Sequence, residues 1–134
     1  MQVLFVNFVD VETTPEHLIQ LLVDPQLWPR WLPYIDRVIT DVDGYHVIRH
    51  NSFFNPTEHL QIDAGADLIR YLSRDGLIEY QLLFRLHEMP HATAIYQFMV
   101  LTHQPQLPMT VVTPLIRNTF ATNLKTLAQL ASQA

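Results

Sequence analysis

Val9-Asp10-Val11-Glu12-Thr13-Thr14-Pro15-Glu16-His17-Leu18, residues 9–18, changes its hydrophobic period midway, and that change orders the rest of the chain. From Val3 to Val11, alternating and β-branched apolar residues give the pattern of a strand packed on at least one face. Turn chemistry then takes over at Thr13. A threonine offers its hydroxyl to the free N–H groups of a first helical turn, and Pro15 lacks the donor that would be orphaned there. A short helix is therefore expected through about Val23. Asp24-Pro25 repeats the start signal, and Trp28, Trp31 and Leu32 fall at helical spacing before Pro33 stops the segment. Two short helices thus separate the first strand from the second.

Beyond them the pattern is extended. Arg37 to Val42 and Tyr45 to Phe53 read as strands joined at Asp43-Gly44, residues that tolerate positive φ. Further strands are expected near Glu58 to Asp63, Ala66 to Ser73, Leu77 to His87 and Ala92 to His103, separated by Gly65, Asp75-Gly76 and Pro90. Counting by two, Ile78, Tyr80, Leu82, Phe84 and Leu86 share the side that faces the interior, and Glu79, Gln81, Arg85 and His87 the other. In the next strand Tyr96, Phe98 and Val100 form a similar row, although Ile95, Met99 and Leu101 make the second face almost as apolar. After Gln104 the period becomes helical, with Met109, Val112, Ile116, Phe120, Leu124, Leu127 and Ala131 on one side. Pro114 leaves two options. Either Thr113 caps a helix beginning there, or a longer helix runs through the proline.

Composition bounds the function. The 134 residues fit one domain, 1–134, with no internal repeat or linker, and 49% hydrophobic against 16% charged residues is enough for a core. Eight Lys and Arg against 13 Asp and Glu give a net charge of −5, with the basic residues scattered. Nucleic acid and anionic lipid headgroups both demand the opposite sign, so neither is an expected partner. The chain has no cysteine, which removes disulfides, thiolate metal sites and a cysteine nucleophile together and suggests a reducing compartment. No basic segment precedes Val3-Leu4-Phe5-Val6, and no apolar stretch approaches the roughly 20 residues that span a bilayer. A cytoplasmic protein without a membrane span is expected.

The order of strand, two short helices, antiparallel strands and long terminal helix resembles the START-like, or helix-grip, superfamily, which includes the polyketide cyclase/dehydrase-like proteins. The resemblance spans the chain. Its most telling residues are Val9-Asp10-Val11, Thr14-Pro15-Glu16-His17-Leu18, Val23-Asp24-Pro25, Trp28, and Trp31-Leu32-Pro33, followed by the strand containing Val38. It implies an α+β fold in which a curved antiparallel sheet of six to seven strands grips the terminal helix. Between them it implies a cavity for a lipid-, steroid- or polyketide-like molecule. The chain departs from many relatives in having only three glycines and in carrying Pro114, both of which bear on the shape of that cavity.

The residues expected to contact such a ligand are Tyr80, Phe84, Tyr96, Phe98, Ile116, Phe120 and Asn123, with ordinary core packing as the alternative for each aromatic. Asn123 stands out, because a wheel places it on the apolar helix face, where a buried amide needs a strand residue, a water or a ligand as partner. Trp28 and Trp31 are expected to pack the two-helix segment on the sheet, with contact to a ligand as the alternative for either. His46 and His50 share a strand face but lie about 13 Å apart, too far for one metal. His50 with Ser52 is a candidate to orient a polar ligand group. Asp10 with Glu12, and Asp41 with Asp43, read as exposed strand ends. Neither a phosphate-binding glycine loop nor a nucleophile elbow occurs.

Three functions remain open on this reading. The first is binding or carriage of a small hydrophobic molecule without a cofactor. The second is a cyclase or dehydratase that would draw on Tyr80, Tyr96, His50 or Asn123. The third is a cochaperone-like interaction domain, which calls for a filled core and an exposed apolar patch. His87-Glu88-Met89-Pro90-His91 matches the H-E-x-x-H zinc pattern, but that chemistry needs a helix and Pro90 forbids one. Metal analysis of the purified protein is expected to show no stoichiometric zinc. Zinc that disappears when His87 and His91 are replaced would overturn the hairpin reading.

Overall fold

The computed structural model describes residues 2–133. Strand β1 (Gln2–Val11) leads into helix α1 (Pro15–Val23), a 3-10 segment (Pro25–Arg30), and strands β2 (Ile35–Asp41), β3 (Gly44–Arg49), β4 (Thr57–Ala64), β5 (Leu68–Arg74), β6 (Tyr80–Met89) and β7 (Ala92–Leu101). Helix α2 (Met109–Ser132) ends the described chain. All strand pairs are antiparallel, and the seven form one curved sheet in the order β1-β7-β6-β5-β4-β3-β2. The first strand is thereby carried round to pair with the last. Both edge strands carry a register shift, between Val3 and Phe5 and between Ile35 and Arg37. Such irregularities twist an edge away from further pairing.

The helix starts follow the expected chemistry. Thr14 caps α1, its hydroxyl accepting from the His17 N–H at 3.2 Å, and Asp24 accepts from the Gln26 N–H at 3.0 Å to open the 3-10 segment. Helix α2 begins at Met109 and continues through Pro114, so the longer of the two options holds. Its buried face is Ile116, Phe120, Leu124, Leu127 and Ala131.

Turn positions and one face differ from expectation. The β2–β3 hairpin pairs Asp41 with Gly44, so its two loop residues are Val42 and Asp43. Gly44 follows the loop with φ +156°, where any Cβ would meet the Leu60 carbonyl oxygen, and this close approach is why glycine stands there. Strand β3 ends at Arg49, four residues before the expected Phe53, and an irregular loop runs to Pro56.

On β7 the buried row is Thr93, Ile95, Gln97, Met99 and Leu101. Tyr96, Phe98 and Val100 take the opposite face, reversing the expected orientation. With apolar residues at both parities, a polar residue decided the reading, and here the polar Gln97 points inward. Its side-chain oxygen accepts from Asn7 Nδ2 at 3.1 Å on the neighbouring strand.

Aromatic edges and faces tie the layers together. Phe120 of α2 meets Phe5 of β1 at 5.7 Å and Phe54 at 5.1 Å, and Phe54 in turn meets Tyr80 of β6 at 5.3 Å. Trp28 packs on Tyr71 of β5 at 5.4 Å, and its indole N–H is shared between the Tyr71 hydroxyl and the Leu22 carbonyl, each at 3.2 Å. The Tyr71 hydroxyl donates to the same carbonyl. The end of α1 is thus fastened to the sheet by polar bonds that satisfy every member.

Asn55 fastens the loop after β3. It is buried with φ +28°, and its amide brackets the Ile78 backbone, donating to the carbonyl at 2.7 Å and accepting from the N–H at 2.9 Å. A Cβ on Gly76 would come within 2.6 Å of that amide. Asn55→Ala strips partners from two buried backbone groups, and the expected loss is roughly 2 kcal/mol or more in urea denaturation. An unchanged midpoint would show that water reaches Ile78.

Candidate functional site

A cavity of about 50 Å³ lies between α2 and the inner face of the sheet. Its floor is built by strand alternation, which directs Leu60 (β4), Tyr71 (β5), Tyr80 and Leu82 (β6) and Gln97 (β7) to one side. Trp28, Trp31 and Leu32 from the 3-10 region form one wall, with Tyr34 and Ile35. Arg49, the sheet partner of Ile35, continues the lining with Ser52 and Phe54, and Thr119, Phe120 and Asn123 of α2 complete it.

Of the residues expected from sequence to contact a ligand, Tyr80, Phe120 and Asn123 are brought together at this cavity. Phe84 and Ile116 are fully buried, but behind the lining rather than in it, Phe84 packing on Tyr71 at 5.2 Å and Trp31 at 6.3 Å. Tyr96 and Phe98 stand on the other side of the sheet, where Tyr96 is 41% exposed and stacks on Phe8. They form no part of the cavity. His50 is exposed beside Tyr34, at 6.4 Å between rings, outside the lining. Ser52 does line the cavity, with its hydroxyl bonded to the Phe54 carbonyl at 2.8 Å.

The strongest electrostatic feature went unread in the sequence. Glu58 of β4 is 0% exposed, and its carboxylate accepts from Arg49 Nη1 at 2.5 Å and from the Tyr80 hydroxyl at 2.6 Å. Arg49 Nη1 also donates to the Asn55 carbonyl at 3.0 Å, and the guanidinium lies 5.3 Å from the Phe54 ring centre. Burial acts to lower the Arg49 pKa, but the Glu58 carboxylate outweighs it and holds the guanidinium above its ordinary value. Burial, and then the Glu58 charge, push the Tyr80 hydroxyl well up, so it stays a neutral donor. Burial likewise raises Tyr71. A signal was present, since Tyr45, Val47 and Arg49 share one strand face and Glu58, Leu60 and Ile62 another. A charged residue in each apolar row points to a pair.

Two lining groups stand apart from this network. The indole N–H of Trp31, a residue 1% exposed, has no hydrogen-bond partner among the described residues. The half-buried Asn123 side chain likewise bonds no described residue, so the strand partner weighed for it is not found.

A second cluster lies at the β2–β3 hairpin. Ligand atoms of Asp41, Asp43 and His59 fall within 4.8 Å of one another. Arg74 occupies the cluster's cationic role, donating through Nε to His59 Nδ1 at 3.1 Å and through Nη2 to Asp43 at 2.9 Å. His59 Nε2 lies 2.9 Å from an Asp43 carboxylate oxygen but, buried, makes no hydrogen bond among the described residues. His87 and Glu88 lie on β6 and are exposed, with His91 in the tight turn to β7, so the H-E-x-x-H stretch is strand and turn.

With this geometry the molecule has the helix-grip fold of START superfamily proteins: seven antiparallel strands, short helices after the first, and a long helix across the inner face. A START superfamily protein from Mycobacterium smegmatis superposes with a TM-score of 0.77 at 15% identity, covering 96% of this chain and 97% of that one. The Aha1 dimer from Colwellia psychrerythraea gives 0.72 at 12% identity, with 100% of both chains covered. DynU16, a protein of the dynemicin biosynthetic locus, gives 0.64 at 16% identity over 96% of this chain and 46% of its own. At these identities the likeness establishes the fold alone. No protein-family model matches the sequence. Uncharacterised proteins of Mycobacterium bovis and Mycobacterium tuberculosis are 54% identical over 35 residues, 26% of this chain. That match spans about a fifth of their own length, 21%.

Removing one partner of a buried ion pair leaves the other charge uncompensated. Glu58→Gln is expected to cost about 3 kcal/mol in chemical denaturation, while Arg49→Met combined with Glu58→Gln recovers part of that loss. Strictly additive single and double variants would show that the pair does not act as a unit.

Proposed function

We propose that this protein binds a small, largely apolar molecule with one polar end, lodged between α2 and the sheet. The observation that carries the reading is the largely apolar cavity at which the fold brings Tyr80, Phe120 and Asn123 together with the unpartnered Trp31 indole. The START-like fold of the neighbours supports it, DynU16 of the dynemicin biosynthetic locus among them. Binding rather than catalysis is favoured because Glu58, the buried carboxylate, is engaged by two donors and does not itself line the cavity.

A void of about 50 Å³ is of a size for water, whereas a benzene-sized ring needs roughly 150 Å³. Ligand entry therefore requires α2 and the Ser52–Phe54 wall to part from the floor. Tyr34 and Ser52, the more exposed lining residues on this side, mark where that opening lies.

One observation favours a second reading, an interaction domain. Val6 and Phe8 of β1 pair with Phe98 and Tyr96 of β7, and Val6, Phe8 and Tyr96 are exposed, so an apolar strip runs along the outer sheet face. Together with a small cavity, this is the combination an interaction domain would show.

Titration with apolar fluorescent probes separates the two. Saturable binding at one dominant site is expected, abolished by Leu82→Trp, which fills the cavity, and unaffected by Arg85→Gln, which faces outward on the same strand. Equal effects at both positions, or no saturable binding by a sample with a native near-UV spectrum, would favour the interaction domain.

A further inference from the structure

We propose that the cavity selects a neutral hydrogen-bond acceptor, a carbonyl carried on an apolar or aromatic body, through the indole N–H of Trp31. This rests on the reading of the cavity as a binding site, and it names the chemistry of the ligand's polar end.

An indole N–H donates and never accepts, so its only useful partner is an acceptor. The two tryptophans of the chain are treated oppositely. Trp28 spends its N–H on the Leu22 carbonyl and the Tyr71 hydroxyl, both within the protein. Trp31 is as deeply buried, lines the cavity, and has no partner for its N–H among the described residues. Leaving a buried donor unpaired is costly, so a ligand that brings an acceptor to it gains a bond that the protein alone does not make. A ligand without an acceptor leaves the donor unpaired.

The charge of the acceptor is decided by the other polar groups. Arg49 is the only charged residue in the lining, and Glu58 already matches its charge at 2.5 Å. The Tyr80 proton is committed to Glu58 as well. A carboxylate ligand would therefore bring an unmatched negative charge into an apolar enclosure, whereas a ketone, quinone or amide carbonyl brings none. Asn123, which also bonds no described residue, lies at the same cavity. Its amide both donates and accepts, so it serves a second carbonyl or a hydroxyl on the same ligand.

Three probes of one size test the assignment on the full chain: acetophenone, ethylbenzene and benzoate. Two-dimensional ¹H–¹⁵N spectra show two indole resonances, assigned by the one that vanishes in Trp31→Phe. Acetophenone is expected to bind about five- to tenfold more tightly than ethylbenzene, the worth of one net hydrogen bond. Benzoate is expected to bind more weakly than acetophenone. Acetophenone should move the Trp31 indole proton downfield while leaving that of Trp28 in place, and ethylbenzene should not do so. In Trp31→Phe the preference for acetophenone should disappear. Ethylbenzene binding as tightly as acetophenone, with no distinct indole shift, would overturn the carbonyl assignment and leave the cavity reading intact. Benzoate binding most tightly would replace the neutral acceptor with an anion. If none of the three binds, the cavity reading itself fails. The indole shift is read in the unaltered protein, so the test stands even where Trp31→Phe does not fold.

Discussion

A guanidinium and a carboxylate inside an apolar interior have to meet, and the meeting of Arg49 with Glu58 constrains much of what surrounds them. Either ion alone would cost several kcal/mol to bury, so the pair tolerates little displacement. Strands β3 and β4 are held in the register that sets Val47 opposite Glu58, and the loop between them places the Asn55 carbonyl on Arg49. The same residue's side chain closes on Ile78, and the Tyr80 hydroxyl closes on Glu58. Charge pairing, loop conformation and the start of β6 are therefore satisfied together or not at all. Coupling of this kind specifies a single arrangement more than it adds net stability.

The elements were legible in the sequence because each rests on local chemistry. Thr14-Pro15 opens a helix whatever lies around it, and the even row from Ile78 to Leu86 buries as counted. Strand β7 shows where local reading fails. Its two faces are nearly equal in hydrophobicity, so the choice was made by what lies across from them. Gln97 turned inward has Asn7 opposite it in the register and bonded to it, while Phe98 and Tyr96 turned outward have Val6 and Phe8 as cross-strand neighbours. None of those partners is near in sequence. Tyr80, Phe120 and Asn123 lie at one cavity because a strand row and a helix face each present one side, and those sides meet. Arg49 and Glu58 were missed because the meaning of each depends on the other.

Sheet order explains why a cavity survives at all. Helix α2 lies close along β1, where Phe120 reaches Phe5 and Asn7 donates to the Arg117 carbonyl at 3.3 Å. The strands farther across the curved sheet diverge from the helix, and only long side chains span the gap. Trp28, Trp31 and Phe54 enter it from the loops and fill most of the space. Planar rings pack edge to face at angles that leave corners, and polar groups such as Arg49, Gln97 and Asn123 cannot be pressed against carbon without losing partners. The residual void therefore sits where rings and polar atoms converge.

That location gives the void its chemical character. An empty apolar pocket of this size would stay dry and would attract any hydrocarbon that fits. A pocket edged by an unpaired indole N–H and an unpaired amide instead favours a guest that brings hydrogen-bond partners to them. Affinity then follows from matching donors as much as from buried area, because a purely apolar guest gains contact with Phe120 and Leu82 yet strands Trp31 and Asn123. Selectivity arises in the same way: the pair that fixes the floor leaves its charge fully matched, so the walls offer a guest hydrogen bonds without offering it an ion. The constraint that organises the fold is thus also the one that keeps the cavity electrically neutral.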